Sequence, residues 1–266
     1  MAHPPRKLAF ILASTDQGSL IVNRFDYKMV DAQRGFGVGF TLLERGSYDA
    51  PEVELVVKTL ALRRRYFGDG VVAVDCGANI GVFTVEWAKA MTGWGRVLAI
   101  EAQERLFYAL AGNIALNNCF NARAIHAAAA AAPGTLRIPM PDYLKPSTFG
   151  SLELRRSASN EFIGQAIDYA DERLVPVPAV SIDSLGLARL DLLKIDVEGM
   201  EPDVLEGARQ TIAACRPVVM VEQLKAGGAA LTATLEGHGY RCHARGPMNI
   251  LAIHPSDATG NHLTRT

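Results

Sequence analysis

From Val71 onward, short apolar runs alternate with stretches of helical periodicity, and this alternation limits the fold more than any other feature of the sequence. Short apolar runs bounded by turn-forming residues predict buried strands, and the stretches between them predict helices. Strands that alternate with helices form βαβ units and a mostly parallel sheet. The pattern therefore predicts a doubly wound α/β fold. The runs are Val71–Val74, Val97–Ile100, Ala122–Ala127, Leu190–Ile195 and Val218–Val221.

Three stretches are predicted to be helices. Ala50–Phe67 follows Asp49, whose side chain can accept hydrogen bonds from the first-turn amides while Glu52 reaches back. Val82–Met91 and Glu104–Leu116 lie between the first three apolar runs and have helical periodicity. These helices supply the connections that parallel strands require.

The chain is expected to consist of an extension and one domain. Its 266 residues, 49% of them hydrophobic, are enough for a sizeable core. We predict an N-terminal extension or cap over residues 1–48 and a domain over residues 49–266, with an irregular insertion at about 133–180. Long excursions from a regular scaffold tend to carry function, so substrate contacts are expected in this insertion.

The C-terminal part of the sequence changes character. Gly239–Cys242 and Asn249–Ile253 are strand-like and are expected to pair as an antiparallel hairpin. His254–Thr266 is expected to be a frayed tail.

Composition argues against several classes of partner. The 27 Lys and Arg residues are balanced by 28 Asp and Glu, which does not favour nucleic acid as a partner. The four cysteines are scattered, which is typical of reduced thiols in a cytoplasmic protein. No apolar stretch is long enough to span a bilayer, so no membrane partner is expected. A small-molecule partner is expected, and the sequence leaves open whether the chain forms a homo-oligomer.

Four of the apolar runs are followed at once by an acid, namely Asp75, Glu101, Asp196 and Glu222. In an open parallel sheet, ligands bind beyond the carboxyl ends of the strands, so these acids are expected to converge on one crevice. Each acid alone could equally be an ordinary helix cap or loop acid. Their shared position favours a site.

The first run continues into a glycine-bearing turn, from Val74 to Gly81, before the next helix begins. Gly77 and Gly81 allow a tight turn and a close approach to a ligand, and the helix start offers amides to a carboxylate or phosphate. Glu101 can accept hydrogen bonds from both hydroxyls of a ribose, as in nicotinamide and S-adenosylmethionine sites. Asn79 occupies the second glycine position of the dinucleotide fingerprint, which disfavours a pyrophosphate.

A longer pattern extends beyond this turn. Its segments are Val74–Thr84, Asn113, Asn117, Val180–Leu185, Leu193–Glu201 and Pro217–Glu222. Together they resemble the FkbM-type methyltransferases of the class I Rossmann-like group. The resemblance covers roughly Asp49 to Pro255. Cys76 and the dipeptide Ala102-Gln103 depart from the family pattern, but neither change removes a charged group from the expected site.

The resemblance implies a seven-stranded, mostly parallel Rossmann-like methyltransferase sheet whose last strand is antiparallel. It also implies S-adenosyl-L-methionine as the cofactor and O-methylation of a hydroxyl on a sugar or small-molecule metabolite. By analogy, Glu101 holds the ribose, the strand end near Ala127 faces the adenine, and Asp75 orients the loop or the ammonium group. The methionine part is expected to contact Gly77, Ala78, Asn79 and Gly81.

The fourth run leads into residues suited to removing a proton from an acceptor. Methyl transfer to an alcohol needs an aligned acceptor and a group that takes its proton. Lys194, Asp196 and Glu198 are two residues apart, so in an extended segment their side chains would share one face. Asp196 is the first candidate for this role, and Lys194, Glu198 and Glu222 are further catalytic candidates.

These residues also have simpler interpretations. Lys194 can pair with an acid and hold the loop, because a buried ammonium is costly unless it is paired. Asp196 can cap the helix expected near Glu201. Glu198 and Glu222 could instead join Asp196 around Mg²⁺. From the sequence alone we assign no metal ligand.

Two functions of other classes remain compatible with the sequence. One is an NAD(P)-dependent oxidoreductase on a Rossmann scaffold, which the turn sequence disfavours. The other is a cofactor-binding protein without catalytic activity. Arg63–Arg65 is expected to be a solvated helix end, and His126 a packed residue rather than a metal ligand.

Overall fold

The computed structural model describes residues 6–31 and 33–263 of the chain. It contains two compact units. One comprises the residues up to Tyr48 together with Arg137–Val175, and the other comprises Asp49–Leu136 and the residues from Pro176 onward. The first five residues of the expected extension and the last three of the expected tail lie outside the described residues.

The smaller unit is held together by a buried aspartate. The carboxylate of Asp26 accepts hydrogen bonds from the amide nitrogens of Gly39, at 3.0 Å, and Phe149, at 3.1 Å. These contacts join the N-terminal residues to the insertion, a pairing that the sequence did not predict. The prediction that the insertion contacts a substrate stays a prediction.

Short elements make up this smaller unit. The antiparallel pairs are β1 with β2 and β3 with β4. The bounds are β1 (Phe10–Thr15), β2 (Gly18–Asn23), β3 (Lys28–Met29), β4 (Gly35–Phe36) and α1 (Val38–Arg45), followed in the insertion by the 3₁₀ turns Phe149–Ser151 and Asp171–Arg173.

The larger unit begins with a long helix that matches its prediction. This helix, α2, covers Ala50–Phe67. Its expected capping contact is wrong, because Asp49 has a left-handed backbone conformation (φ 46°) and its side chain makes no cap hydrogen bond. The remaining helices are α3 (Val82–Ala90), α4 (Glu104–Leu116), α5 (Glu201–Glu206), α6 (Arg209–Cys215), α7 (Gly228–Gly237) and α8 (Gly260–Leu263). Among the described helices, none combines the length and apolar character needed to cross a bilayer.

Ten strands complete this unit and its connections. Their bounds are β5 (Val71–Cys76), β6 (Gly95–Glu101), β7 (Ala122–His126), β8 (Ala128–Ala129), β9 (Gly134–Ile138), β10 (Val175–Val180), β11 (Leu192–Ile195), β12 (Val218–Glu222), β13 (Arg241–Arg245) and β14 (Asn249–Ile253), of which β9 and β10 lead the chain into and out of the insertion.

Seven of these strands form one sheet in the order β13-β14-β12-β11-β5-β6-β7. Only β14 runs against its neighbours, since it is antiparallel to both β12 and β13 while the other pairings are parallel. The doubly wound α/β fold and its antiparallel C-terminal hairpin are therefore confirmed. The parallel arrangement also brings the carboxyl ends of the central strands to one edge.

The register of the sheet sets which side chains meet at that edge. Cys76 of β5 lies opposite Ile195 of β11, so these two strands end together. One position earlier, Asp75 lies opposite Lys194. Asp75 was expected to follow the strand, but it lies within β5 and is buried. The register therefore places an acidic and a basic side chain, Asp75 and Lys194, side by side inside the sheet.

Arg63 corrects two predictions about the periphery of the unit. It is buried, and its guanidinium contacts Asp191 at 3.0 Å and Asp257 at 2.7 Å. The basic run is therefore not simply a solvated helix end. Asp257 belongs to the segment expected to be a frayed tail, which is instead tied to α2 as far as it is described.

Replacing Arg63 tests this buried network. Arg63→Ala is expected to lower the free energy of unfolding by about 3–5 kcal/mol, because it removes the cation between two buried carboxylates. Arg64→Ala is the control, since it breaks only an exposed pair with Asp69 and should cost at most about 1 kcal/mol. Urea unfolding followed by circular dichroism measures both. Equal losses in the two variants would contradict the assignment.

Candidate active site

The turn between β5 and α3 needs its glycines for contacts within the protein. Gly77 and Gly81 have positive φ angles of 78° and 88°. A Cβ atom at Gly77 would lie 1.7 Å from the carbonyl oxygen of Asp196, and one at Gly81 would lie 2.5 Å from Cδ1 of Leu110. Both glycines are therefore required by contacts within the protein. The close approach of a ligand to this turn stays a prediction.

The amides of the turn itself, which precedes the helix start, are already paired within the protein. The amide nitrogens of Gly77 and Ala78 both donate to the carbonyl oxygen of Ile100, at 3.0 Å. That of Asn79 donates to Glu101, at 2.8 Å. The next two amides bond within the turn itself, from Ile80 to Oδ1 of Asn79 and from Gly81 to the carbonyl of Ala78. Because β6 supplies acceptors for three of these amides and the turn itself for the other two, none of the five is offered to an anion.

Glu101 lies against the glycine turn, as its predicted role requires. Its Oε2 accepts the Asn79 amide and its Oε1 accepts the Gln103 amide, at 2.8 and 2.7 Å. Burial raises the pKa of Glu101 to about 7, although these hydrogen bonds oppose the shift. An ionised carboxylate can accept about four hydrogen bonds, so acceptor capacity remains for a ligand. Its binding of a ribose stays a prediction.

A buried asparagine fastens the other side of the turn. Asn113 of α4 donates from Nδ2 to the carbonyl oxygen of Ile80, at 2.8 Å. This contact gives a structural reason for an asparagine in that helix. It also means that the turn is held from both β6 and α4.

The remaining predicted cofactor residues differ in accessibility. Gly77 and Asn79 are partly exposed, whereas Ala78 and Ala127 are buried. At the end of β7 the more accessible residue is His126, which stacks on Phe107 with ring centroids 5.0 Å apart. A ligand at this strand end could therefore reach His126 more readily than Ala127.

Asp75 and Lys194 form a buried ion pair next to the turn. The Lys194 Nζ is 3.8 Å from Oδ1 of Asp75 and donates to Oδ2 of Asp196 at 3.0 Å. Thr84 donates to the other oxygen of Asp75 at 2.7 Å, and Lys194 also lies over the ring of Phe83. The interpretation in which Lys194 pairs with an acid is thereby confirmed.

These contacts decide the protonation of Lys194. Burial alone would lower its pKa, but the charges of Asp196 and Asp75 outweigh burial and raise the pKa above its ordinary value. Lys194 is therefore an ammonium at neutral pH. It holds Asp196 in place and is not suited to act as a base.

Asp196, Glu198 and Glu222 come together beside this pair. One carboxylate oxygen from each lies within 4.8 Å of the others. Asp196 and Glu222 meet at neighbouring strand ends, as predicted. The predicted extended face of Lys194, Asp196 and Glu198 is wrong, because β11 ends at Ile195 and Glu198 has a left-handed backbone (φ 54°). A turn, not an extended segment, brings Glu198 into the group.

The same turn is shaped by Glu201, and Asp196 does not cap the following helix. The Glu201 carboxylate accepts hydrogen bonds from the amides of Val197, at 3.1 Å, and Gly199, at 3.0 Å. Asp196 is thus left with a side chain that is 37% exposed. It can therefore meet a substrate.

The two glutamates of this group have raised pKa values. Burial, followed by the charge of Asp196, raises the pKa of Glu198 to about 8 and that of Glu222 to about 7. Lys225 opposes the shift and forms an ion pair with Glu198 at 2.6 Å. Glu198 and Glu222 therefore hold their protons more readily than ordinary glutamates do.

Two acids at the start of α2 also belong to this charged surface. The Glu52 carboxylate accepts a hydrogen bond from Nδ2 of Asn249 at 2.7 Å, and burial raises its pKa to about 7. The charges of Lys194 and Asp196 act on both Glu52 and Asp49. The sequence identified this acidic pair only as a helix start, so its signal was assigned to the wrong role.

Gly77→Ala tests the close approach to Asp196. We expect it to lower the free energy of unfolding by about 2–5 kcal/mol, combining a left-handed backbone with an overpacked contact. Gly93→Ala is the control, because Gly93 has a similar φ of 82° with no heavy atom within 4 Å of the added Cβ. It should cost only about 1–2 kcal/mol. Thermal and urea unfolding measure the difference, and equal costs would contradict the contact.

Glu101→Gln tests the burial of its carboxylate. The folded pKa of about 7 lies above the ordinary 4.5, so the folded state binds more protons between these values and stability falls as the pH rises through them. Between pH 5 and pH 8 the wild type is expected to lose up to about 3 kcal/mol more unfolding free energy than the variant does. Urea unfolding at both pH values measures this. Glu104→Gln, at an exposed acid three residues on, should leave the pH dependence unchanged, and an unchanged dependence in Glu101→Gln would disprove the shift.

Comparisons with known proteins agree with this geometry. A family model described as the methyltransferase FkbM domain matches residues 75–242. Methyltransferase sdnD of Sordaria araneosa is 30% identical over 157 residues, which are 50% of this chain and 59% of that protein. Methyltransferase 1 of Beauveria bassiana (strain ARSEF 2860) is 30% identical over 169 residues, 59% of this chain and 67% of that protein.

A solved structure is also similar. The crystal structure of methyltransferase FkbM from Methylobacillus flagellatus KT has 18% sequence identity and a TM-score of 0.47. The similarity covers 74% of this chain and 47% of that chain. This chain therefore spans only part of the length of these similar proteins.

Proposed function

The chain belongs to the FkbM methyltransferase domain family, and from this we propose that it transfers the methyl group of S-adenosylmethionine to a hydroxyl oxygen of a sugar or other small-molecule metabolite. Two parts of the site support the proposal. The glycine turn with Glu101 would hold the methyl donor, and the acids beyond β11 and β12 would receive the acceptor.

The observation that carries the proposal is the excess of hydrogen-bond acceptors beside the turn. The amides from Gly77 to Gly81 are paired within the protein, while the carboxylates of Glu101 and Asp196 flank the partly exposed backbone. A ligand that presents donors fits this arrangement. S-adenosylmethionine presents ribose hydroxyls and an ammonium group, whereas a pyrophosphate presents acceptors and needs free amides. The arrangement therefore favours the methyl donor over a nicotinamide dinucleotide.

We assign the removal of the acceptor proton to Asp196. When bound, S-adenosylmethionine supplies a methyl carbon made electrophilic by its sulfonium. The donor would supply its methyl group to the acceptor oxygen and leave as the neutral thioether, and the Asp196 carboxylate would take the hydroxyl proton. Lys194 acts as a positioning residue, because its hydrogen bond to Oδ2 orients Asp196.

The proposed partner is a small molecule or sugar and not a nucleic acid. The net charge of −1 gives no general attraction for a polyanion. The four free cysteines fit a reducing compartment, so we place the enzyme in the cytoplasm.

Asp196→Asn tests the assignment. Turnover is expected to fall by about 10²–10⁴-fold, the usual contribution of a general base, while the affinity for S-adenosylmethionine changes little. Methyl transfer from labelled S-adenosylmethionine to a panel of hydroxylated sugars and metabolites measures the first, and calorimetry the second. Glu206→Gln, an exposed acid on α5, is the control and should behave as the wild type.

The same assay separates the alternatives. Near-normal turnover in Asp196→Asn would remove this residue from the mechanism. A wild-type protein that binds S-adenosylmethionine without transferring its methyl group to any acceptor would favour a non-catalytic cofactor-binding protein. Binding of NAD in place of S-adenosylmethionine would favour the oxidoreductase.

A further inference from the structure

The three carboxylates beyond β11 and β12 have a geometry that methyl transfer alone does not require. One oxygen each from Asp196, Glu198 and Glu222 lies within 4.8 Å of the others. They come from two neighbouring strand ends and the turn between them, so the backbone, and not a flexible loop tip, brings them together. Like charges at this distance repel unless a cation or a proton lies among them.

Glu222 provides an independent indication of a missing partner. Its side chain belongs to the last position of β12 and is only 9% exposed. Its Oε2 is buried and has no hydrogen-bond partner among the described residues. A buried polar atom left without a partner is destabilising by roughly 1–3 kcal/mol, and more if it is charged. Glu222 is also one of the three clustered carboxylates, so its unpaired oxygen is available to a ligand bound there.

The nearby ammonium groups are engaged elsewhere. Lys194 lies between Asp75 and Asp196, and Lys225 contacts Glu198 at 2.6 Å. Each lysine therefore neutralises at least one other carboxylate at contact distance. The three clustered carboxylates and Asp75 outnumber the ammonium groups of Lys194 and Lys225. A bound cation would supply the missing positive charge.

We propose that Asp196, Glu198 and Glu222 bind one hard divalent cation of the Mg²⁺ type. Carboxylate oxygens are the ligands such ions prefer, and Mg²⁺ keeps several coordination positions for water or substrate oxygens. Because Asp196 is also the residue assigned to the acceptor hydroxyl, the cation would lie close to the bound acceptor. The acceptor's position rests on the proposed function, but binding of the cation does not.

The test uses Mn²⁺ alone as the probe, because its free and bound forms differ in their electron paramagnetic resonance signals. The wild type, without S-adenosylmethionine, is expected to bind one Mn²⁺ per chain, and excess Mg²⁺ should displace it. Glu222→Gln and Glu198→Gln preserve side-chain shape, and each should weaken binding by at least about tenfold. Glu206→Gln is the matched control for carboxylates on the surface and should bind as the wild type. Circular dichroism checks that the variants fold.

Each outcome decides the proposal. Loss of binding in both cluster variants with retention in Glu206→Gln supports the site. Absence of bound Mn²⁺ at about 1 mM metal, or equal affinity in all four proteins, overturns it. Because Mn²⁺ binding is measured without a methyl donor, failure of methyl transfer leaves this result intact. Conversely, transfer that proceeds fully in the presence of a chelator overturns the cation's contact with the acceptor but not the methyltransferase assignment.

Discussion

The backbone of Gly77 lies so close to the carbonyl oxygen of Asp196 that no side chain fits between them, since a Cβ atom there would be 1.7 Å away. This contact fixes the turn after β5 against the chain leaving β11. In-line methyl transfer depends on the alignment of donor and acceptor, and small displacements are costly. A glycine at this point therefore sets the distance between the region assigned to the methyl donor and the acid assigned to the acceptor. The rest of the site is arranged around that distance.

A line of alternating charges supports the same region from within. Asp75 is held by Thr84 and faces Lys194 across the β5–β11 register, and Lys194 in turn holds Asp196 at the surface. A buried ion pair adds little net stability to a protein, but removing one of its members is strongly destabilising because the other charge is left buried without a partner. The main effect of these contacts is therefore to orient the Asp196 side chain, and their net contribution to stability is small. They also explain why a lysine interrupts an otherwise apolar strand.

The sequence predicted those parts of the fold that depend on local signals. The bounds of α2 and α4, the central strands and the C-terminal hairpin all follow from periodicity and turn residues. It could not predict contacts that depend on register or on distant segments. Arg63 appeared to be a solvated residue because its partners, Asp191 and Asp257, lie 128 and 194 positions away. The pairing of the Gly77, Ala78 and Asn79 amides was also not predicted, because their acceptors belong to β6, whose register the sequence does not encode locally.

The four acids at the strand ends show the same limit within the site. In the sequence they are equivalent, because each follows an apolar run. In the structure Asp75 and Glu101 are buried and bind Thr84 and the turn amides, whereas the Asp196 side chain is 37% exposed. Glu222 lies between these extremes, buried but with one oxygen unpaired. Position along the strands therefore identifies the edge where ligands bind, while burial decides which acid holds the scaffold and which is left to meet a ligand.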